Sequence, residues 1–292
     1  MTDPLRDPPG ERSVEELLNF GVVNLDKPAG PSAHQVAAWV RDLADVDRAA
    51  HAGTLDPKVT GCLPTMLGDA TRLAPVFLEG GKEYIAVLEL HGLPPTDLES
   101  TLAAFETEIY QKPPRKSAVA RRLRSREIYE LDLLELEDRQ ALLRIRCESG
   151  TYVRKLCHDL GLALGSGAHM GDLRRTGTDP FDDTDLVTMH DLADALAVWR
   201  EDGDDTWLRE VVHPAEEALT HIPSVTIAPS AAEQVAEGAP VYAPGIIEAD
   251  EAPTDSLVAC YTPNGAAVCL GRLVGDPDGD EGLVVDLERV LV

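Results

Sequence analysis

The segment His51-Ala-Gly-Thr-Leu-Asp56-Pro-Lys-Val-Thr-Gly61 decides the reading of this chain. It lies between two apolar segments, and its glycines and proline make it a loop. Proline sterics hold the preceding residue extended, so the Asp56 carboxylate is presented at a fixed angle. An isolated Asp-Pro is most often a turn aspartate bonded to its own backbone. What argues against that here is the company: Lys27-Pro28-Ala29-Gly30, Lys82-Glu83-Tyr84 and Gly150-Thr151-Tyr152-Val153-Arg154.

The chain around this loop has 292 residues, 43% of them hydrophobic. That is room for about two domains and a substantial core, which excludes wholesale disorder. No run approaches the ~18 consecutive apolar residues of a spanning helix. Residues 1–11 are polar and proline-rich, with no apolar signal-peptide core. A soluble, cytoplasmic protein without membrane association is expected. The five cysteines (62, 147, 157, 260, 269) never form a C-x-x-C pair, so buried reduced thiols are expected in place of zinc ligands. Gly165-Ser-Gly167 with Gly171 is one residue too long for a dinucleotide fingerprint and follows a helix.

Charge is distributed unevenly. The 52 acidic residues outnumber the 26 basic ones, for a net charge of -26. Either the partner is no polyanion, or the protein works in concentrated salt, where the Debye length is only about 3 Å at 1 M. Yet residues 112–126 hold seven Lys or Arg and no acid. Such runs are usually solvated faces, but in this acidic chain the run points to RNA contact. Residues 188–217 are acidic and read as helix plus exposed connection. From residue 221 onward there are 12 acids and two bases, Arg272 and Arg289, a shift that places a domain boundary near residue 220.

Periodicity supplies the coarse elements. Residues 22–25 form a short strand, and Ser32 caps a helix with Val36, Val40 and Leu43 on one face. Residues 84–90 and 141–147 read as strands. Residues 151–164 form a helix with Val153, Leu156, Leu160 and Leu164 inward, closed by Gly165. In the tail, Pro263-Asn264-Gly265 turns a hairpin between residues 258–261 and 267–270.

The four motifs together resemble the TruB-type pseudouridine synthases, most closely the archaeal-eukaryotic dyskerin branch. Gln111-Lys-Pro-Pro-Arg-Lys-Ser-Ala-Val-Ala-Arg-Arg-Leu-Arg124 and Gly167-Ala-His-Met-Gly-Asp-Leu-Arg-Arg175 extend the likeness over nearly the whole chain. Gly238-Ala-Pro-Val-Tyr-Ala-Pro-Gly245, with Gly265 and Leu270-Gly271, is similar to the PUA module of that family. The resemblance implies an α/β (α+β) fold. A mixed-sheet catalytic domain over residues 1–220, with its cleft across the sheet, is followed by a small β-barrel PUA RNA-binding domain over residues 221–292. In the family some N-terminal residues lie against the second domain, and residues 17–19 are candidates for that contact.

The resemblance also assigns roles. Asp56 matches the essential nucleophilic aspartate, in a reaction that breaks the N1–C1′ bond of uridine and rejoins uracil through C5. The carboxylate either adds covalently to sugar or base, or abstracts a proton to give a glycal. Tyr84 matches the aromatic stacked on the flipped base. Arg154 matches the arginine paired with the carboxylate, a pairing that a cation beside an acid favours electrostatically. Tyr152 and Leu173 match walls of the uracil pocket, and Lys27 a lysine near the cleft. His51 matches a histidine that fills the space left by the extruded base, whose removal costs a few kcal/mol. Arg115, Lys116, Arg121, Arg122 and Arg124 belong to a basic thumb loop that contacts RNA. No cofactor or metal is implied.

Two substrates fit: the T-loop uridine of tRNA, and rRNA addressed by an H/ACA guide RNA with small companion proteins. No long basic tail follows the PUA-like segment, as expected of an archaeal-like member. With two bases in that segment, groove shape, base edges and main-chain donors would carry more of its RNA recognition. The alternatives are a noncatalytic RNA-binding scaffold of the same fold, which has no need of Asp56, Tyr84 and Arg154 together, and a nucleoside hydrolase, which would release free uracil.

Overall fold

A computed structural model describes residues 5–113 and 120–292. A short helix α1 (Val14–Asn19), started by a Ser13/Glu16 capping box, leads into β1 (Gly21–Lys27). Helix α2 (Ala33–Ala44) begins with a second capping box, in which Ser32 and Gln35 satisfy each other's backbone N–H groups; such caps are worth about 0.5–2 kcal/mol. Its buried residues Ala33, Val36, Ala37, Val40 and Ala44 follow the helical period. Strand β2 (Ala49–His51), the 52–59 loop and β3 (Thr60–Leu67) come next, then α3 (Val76–Glu79) and β4 (Lys82–Leu90). Helix α4 (Leu98–Ala103) and β5 (Glu108–Gln111) precede the long hairpin of β6 (Arg124–Glu137) and β7 (Gln140–Cys147). Helix α5 (Val153–Ala163) and β8 (Ala168–Thr178) complete the central unit. Helices α6 (Met189–Asp202) and α7 (Thr206–Val211) then lead to β9 (His213–Pro214).

These strands form one mixed sheet in the order β5-β6-β7-β4-β8-β3-β1-β9, with β2 paired to β3 off that path. The β3–β8 contact is parallel and short, Thr60 opposite Arg174 and Gly61 opposite Arg175, whereas β4 runs antiparallel to both β7 and β8. Along β4 every second residue from Lys82 to Leu90 is buried, the period-2 signature of a sheet face turned to a core. That face meets Val153, Leu156, Cys157 and Leu160 of α5 in the largest apolar cluster.

The second sheet holds β10 (Ser224–Ile227), β11 (Val241–Tyr242), β12 (Ile246–Ala249), β13 (Leu257–Tyr261), β14 (Ala267–Leu273) and β15 (Leu283–Val290), with α8 (Pro229–Ala236) beside it. Its order is β11-β15-β14-β13-β10-β12. The two end strands are joined only by the turn Ala243–Gly245, so the sheet must curl back on itself into a nearly closed barrel.

Strands leave the first sheet at Pro214 and enter the second at Ser224, yet the two sheets share a core. Phe20, Met66, Phe77 and Phe181 pack in one buried cluster with Leu257, Ala267, Leu270 and Leu291. The N-terminal arm lies along the second sheet through residues 5–12 instead of 17–19. Leu5 joins the barrel's cluster, Arg6 donates to the Leu291 carbonyl at 2.9 Å, and Arg12 forms a buried bidentate pair with Glu216. Leu17 and Leu18 belong to the first core. The acidic 188–217 stretch also departs from expectation. It does contain helices, but its end is buried through Ala215 and Glu216, because Glu216 is the partner of both Arg12 and the Ala267 N–H. All five cysteines are unpaired and buried.

Candidate active site

Asp56 stands on the loop between β2 and β3, and its position is fixed from below. The ammonium of Lys27, at the end of β1, donates to the carbonyls of Pro28 (2.9 Å), Pro57 (3.2 Å) and Val59 (2.8 Å). The Gly30 N–H donates to the Pro57 carbonyl at 2.8 Å. Both neighbours of the acid's own turn are thus tied to the strand and loop that precede α2. Lys27 was expected among the substrate-binding residues; its side chain is fully buried, and its bonds to three carbonyls tie down the Asp56 loop.

The carboxylate of Asp56 forms an ion pair with the guanidinium of Arg154, and both side chains are about half exposed, 51% and 55%. Arg154 is on the first turn of α5, where the helix dipole is positive, and solvent reaches both charged groups of the pair.

Two of the expected pocket residues stand on β4 and β8. Tyr84 stands opposite Arg175, and Ala86 opposite Leu173. Cross-strand partners share a face, so Tyr84, Leu173 and Arg175 all lie on the α5 side of the sheet. Tyr84 and Leu173 are each 8% exposed. Burial pushes the Tyr84 phenol upward, and the adjacent Arg175 guanidinium opposes that shift. The phenol is therefore neutral near pH 7.

Arg175 was not singled out by the sequence, although it ends the quoted Gly167–Arg175 block. It is 1% exposed, and its guanidinium donates to the Cys62 carbonyl at 2.7 Å and the Gly53 carbonyl at 3.4 Å. One buried cation so holds both arms of the Asp56 loop against β8 and touches Tyr84. The signal was present: Leu173 and Arg175 are two apart, the strand period that puts both on one face. Lys82 is a second such cation. Its ammonium donates to the carbonyls of Phe77 (2.9 Å), Gly80 (2.9 Å) and Gly81 (3.3 Å), and burial pulls it down to about 8.

His51 ends β2 beside this constellation. Its Nε2 lies 3.4 Å from Nδ1 of His34, with the rings edge to face. Burial first, then His34 and Arg175, lowers His51 to about 4, so the ring is neutral at physiological pH. Tyr152 caps α5 from the N-terminal side. Its backbone is bound by Gln111, whose Nε2 donates to the Tyr152 carbonyl (3.2 Å) and whose Oε1 accepts from the Tyr152 N–H (2.8 Å).

The basic stretch is only partly a loop. Arg124 already belongs to β6, opposite Gln111, and Arg126 pairs with Glu148 at 3.0 Å. Arg121 and Arg122 are exposed, with Arg121 Nε on the Pro113 carbonyl. Arg115 and Lys116 lie outside the described residues. Among the described residues, no group of three His, Cys, Asp or Glu is placed to hold a metal, and no helix is long and apolar enough to cross a membrane.

The TruB family pseudouridylate synthase N-terminal domain matches residues 41–97, and the tRNA pseudouridylate synthase B C-terminal domain matches residues 154–220. The DKCLD (NUC011) domain matches residues 6–37, and the PUA domain residues 223–278. A probable tRNA pseudouridine synthase B of Halobacterium salinarum (strain R1) is 67% identical over 300 residues, covering 99% of each chain. The Methanopyrus kandleri protein of the same name is 47% identical over 299 residues, covering 100% of this chain and 88% of its own. Among solved structures, a Cbf5-Nop10-Gar1 complex superposes with a TM-score of 0.93 at 43% identity, over 99% of this chain and 90% of that one. An H/ACA RNP bound to a substrate RNA containing 2′-deoxyuridine gives 0.91 at 41% identity, over 100% and 91%. With matches of this extent over both sheets and over the loop that carries Asp56, the chain belongs to the TruB family of pseudouridylate synthases.

Proposed function

We propose that this pseudouridine synthase acts on the T-loop uridine of tRNA and, as the catalytic subunit of an H/ACA guide ribonucleoprotein, on rRNA. Asp56 is the nucleophilic carboxylate. The observation that carries the reading is the half-exposed Asp56–Arg154 ion pair, with Tyr84 and Leu173 buried together on the α5 side of the sheet. A uridine extruded from folded RNA stacks on Tyr84, with Leu173 and Tyr152 closing the pocket. Arg154 orients Asp56 toward the glycosidic carbon. The N1–C1′ bond breaks, uracil turns within the pocket, and C5 bonds to C1′. The C5 proton then leaves to solvent while N1, freed from C1′, takes one up, so the atoms balance and the overall change is an isomerisation. His51, neutral and edge-on to His34, fills the space that the base vacates. Arg121, Arg122 and Arg124, with Arg115 and Lys116, supply phosphate contacts.

Residues 1–220 form the catalytic domain in this reading, and residues 221–292 the PUA domain that engages RNA. Guide RNA and small companion proteins are partners for the rRNA reaction, in the cytoplasm. The surplus of acids suits concentrated salt, where exposed charges are screened over a few Å. The test is tritium release from a tRNA transcript labelled at uridine C5, in molar KCl, with protein alone and then with guide RNA and companion proteins. Release without free uracil that vanishes in Asp56→Asn is the expected result. Free uracil would identify a hydrolase, and silence in both assemblies would overturn the proposal.

A further inference from the structure

We propose that Gln111 is a positioning residue for the isomerisation, clamping the backbone of Tyr152 and thereby fixing the turn of α5 that carries Arg154 to Asp56. The inference rests on the reading of Asp56 and Arg154 as the reacting pair. Because both members of that pair are about half exposed, the ion pair contributes only about 0–1 kcal/mol and cannot hold its own geometry. The geometry must come from the backbone beneath Arg154, the start of α5. The first N–H groups of a helix need external partners, and α1, α2 and α6 each have a capping box. Helix α5 has no such device: its N-cap residue, Tyr152, makes no side-chain cap hydrogen bond.

Gln111 takes over the task of fixing that turn. Its primary amide pairs with both the N–H and the C=O of Tyr152, at 2.8 and 3.2 Å. Two antiparallel hydrogen bonds to one residue fix its position and its peptide orientations together. The clamp is itself rigid, since Gln111 is 2% exposed and ends β5 opposite Arg124 of β6. The Gln111 amide is itself buried, so breaking these part-buried bonds leaves its polar atoms largely without replacement partners. Gln111 also stands one residue before Lys112, the first cation of the basic stretch, so the clamp joins the root of that stretch to the catalytic arginine. Gln111 touches no reacting atom and acts through Arg154.

The experiment is single-turnover tritium release across RNA concentration for wild type, Gln111→Met, Arg154→Ala and the double variant, in whichever assembly shows Asp56-dependent release. Methionine keeps the length and removes both hydrogen bonds. Misplacement of a reacting group by about 1 Å costs about a hundredfold, so the rate at saturating RNA should fall about ten- to hundredfold in Gln111→Met. Half-saturating RNA should stay within about twofold. In the Arg154→Ala background the same substitution should change the rate by less than about twofold, because residues acting through one another are not additive. An equal loss in both backgrounds, or no loss in either, overturns the inference while leaving the Asp56–Arg154 reading intact. If Arg154→Ala alone keeps the wild-type rate, that reading falls and the inference with it. Should Gln111→Met fail to fold, Gln111→Glu, which keeps the acceptor for the Tyr152 N–H, is judged by the same criterion.

Discussion

Three cations lie buried around the reactive loop with carbonyl oxygens as their hydrogen-bond partners. Lys27 holds residues 28, 57 and 59, Lys82 holds residues 77, 80 and 81, and Arg175 holds residues 53 and 62. Among the described residues none of the three forms an ion pair with a carboxylate. A buried charge without partners would be prohibitive, so each persists only because its donors are met by loop carbonyls, and each loop is held in turn. The cost shows in the titration: burial lowers both lysines, Lys82 to about 8. The arrangement also leaves positive charge unneutralised under a site that must accept RNA. For Lys27→Met we expect a loss of about 2–3 kcal/mol in unfolding free energy, since three carbonyls lose their donor. The single-turnover rate should fall further than RNA affinity, because the Asp56 turn is what loosens. Urea midpoints and tritium release check both, and an unchanged rate would exclude the anchoring role.

At the scale of elements, the loop's end is set by the short parallel contact of β3 with β8. Gly61 has φ +99°, and a Cβ there would lie 2.1 Å from the Arg175 carbonyl and 2.9 Å from the Arg174 side chain. Only a glycine lets β3 meet β8 so closely. Gly53, at φ +96°, meets nothing nearer than the Arg175 guanidinium at 3.4 Å. Gly61→Ala should therefore cost about 3 kcal/mol or more and part the two strands, whereas Gly53→Ala should cost only the backbone strain of about 1 kcal/mol. Denaturant unfolding of the two variants checks the order, and equal losses would refute the close-approach argument. Elements with clean periodicity were legible in advance: β4, β7, the capped α2, α5 to within two residues, and the β13–β14 hairpin. Strand β8 was not, because Asp172, Arg174 and Arg175 interrupt its apolar alternation. Nor was β6, whose largely exposed charged residues mask its period. Asp56, Tyr84 and Arg154 were named from the family resemblance, and the structure pairs Asp56 with Arg154. Arg175 and Gln111 were missed because their partners are main-chain carbonyls and amides of distant loops, which no residue pattern spells out.

Across the whole molecule two kinds of electrostatics coexist and should respond oppositely to salt. Most of the 52 acids repel one another across water. The Debye length falls from about 10 Å at 0.1 M to about 3 Å at 1 M, so self-repulsion weakens as salt is added. Arg12 and Glu216 are the opposite case. Their side chains are 1% and 10% exposed, and Glu216 also accepts the Ala267 N–H at 3.0 Å. That one carboxylate ties the N-terminal arm, the connection between the sheets and the barrel, at the edge of the core both sheets share. Buried pairs are screened far less than exposed ones, and removing one partner costs about 3–5 kcal/mol. We expect wild-type stability to rise steadily between 0.1 and 2 M KCl. Glu216→Gln should lose about the same 3 kcal/mol or more at both ends of that range, because the lost interaction never depended on the solvent. Urea unfolding of the two proteins at each salt concentration separates the effects. If the deficit of Glu216→Gln shrank in parallel with the salt gain, the pair would be acting as one more surface charge, and the rigid joint between the sheets would have to be sought in the shared apolar cluster alone.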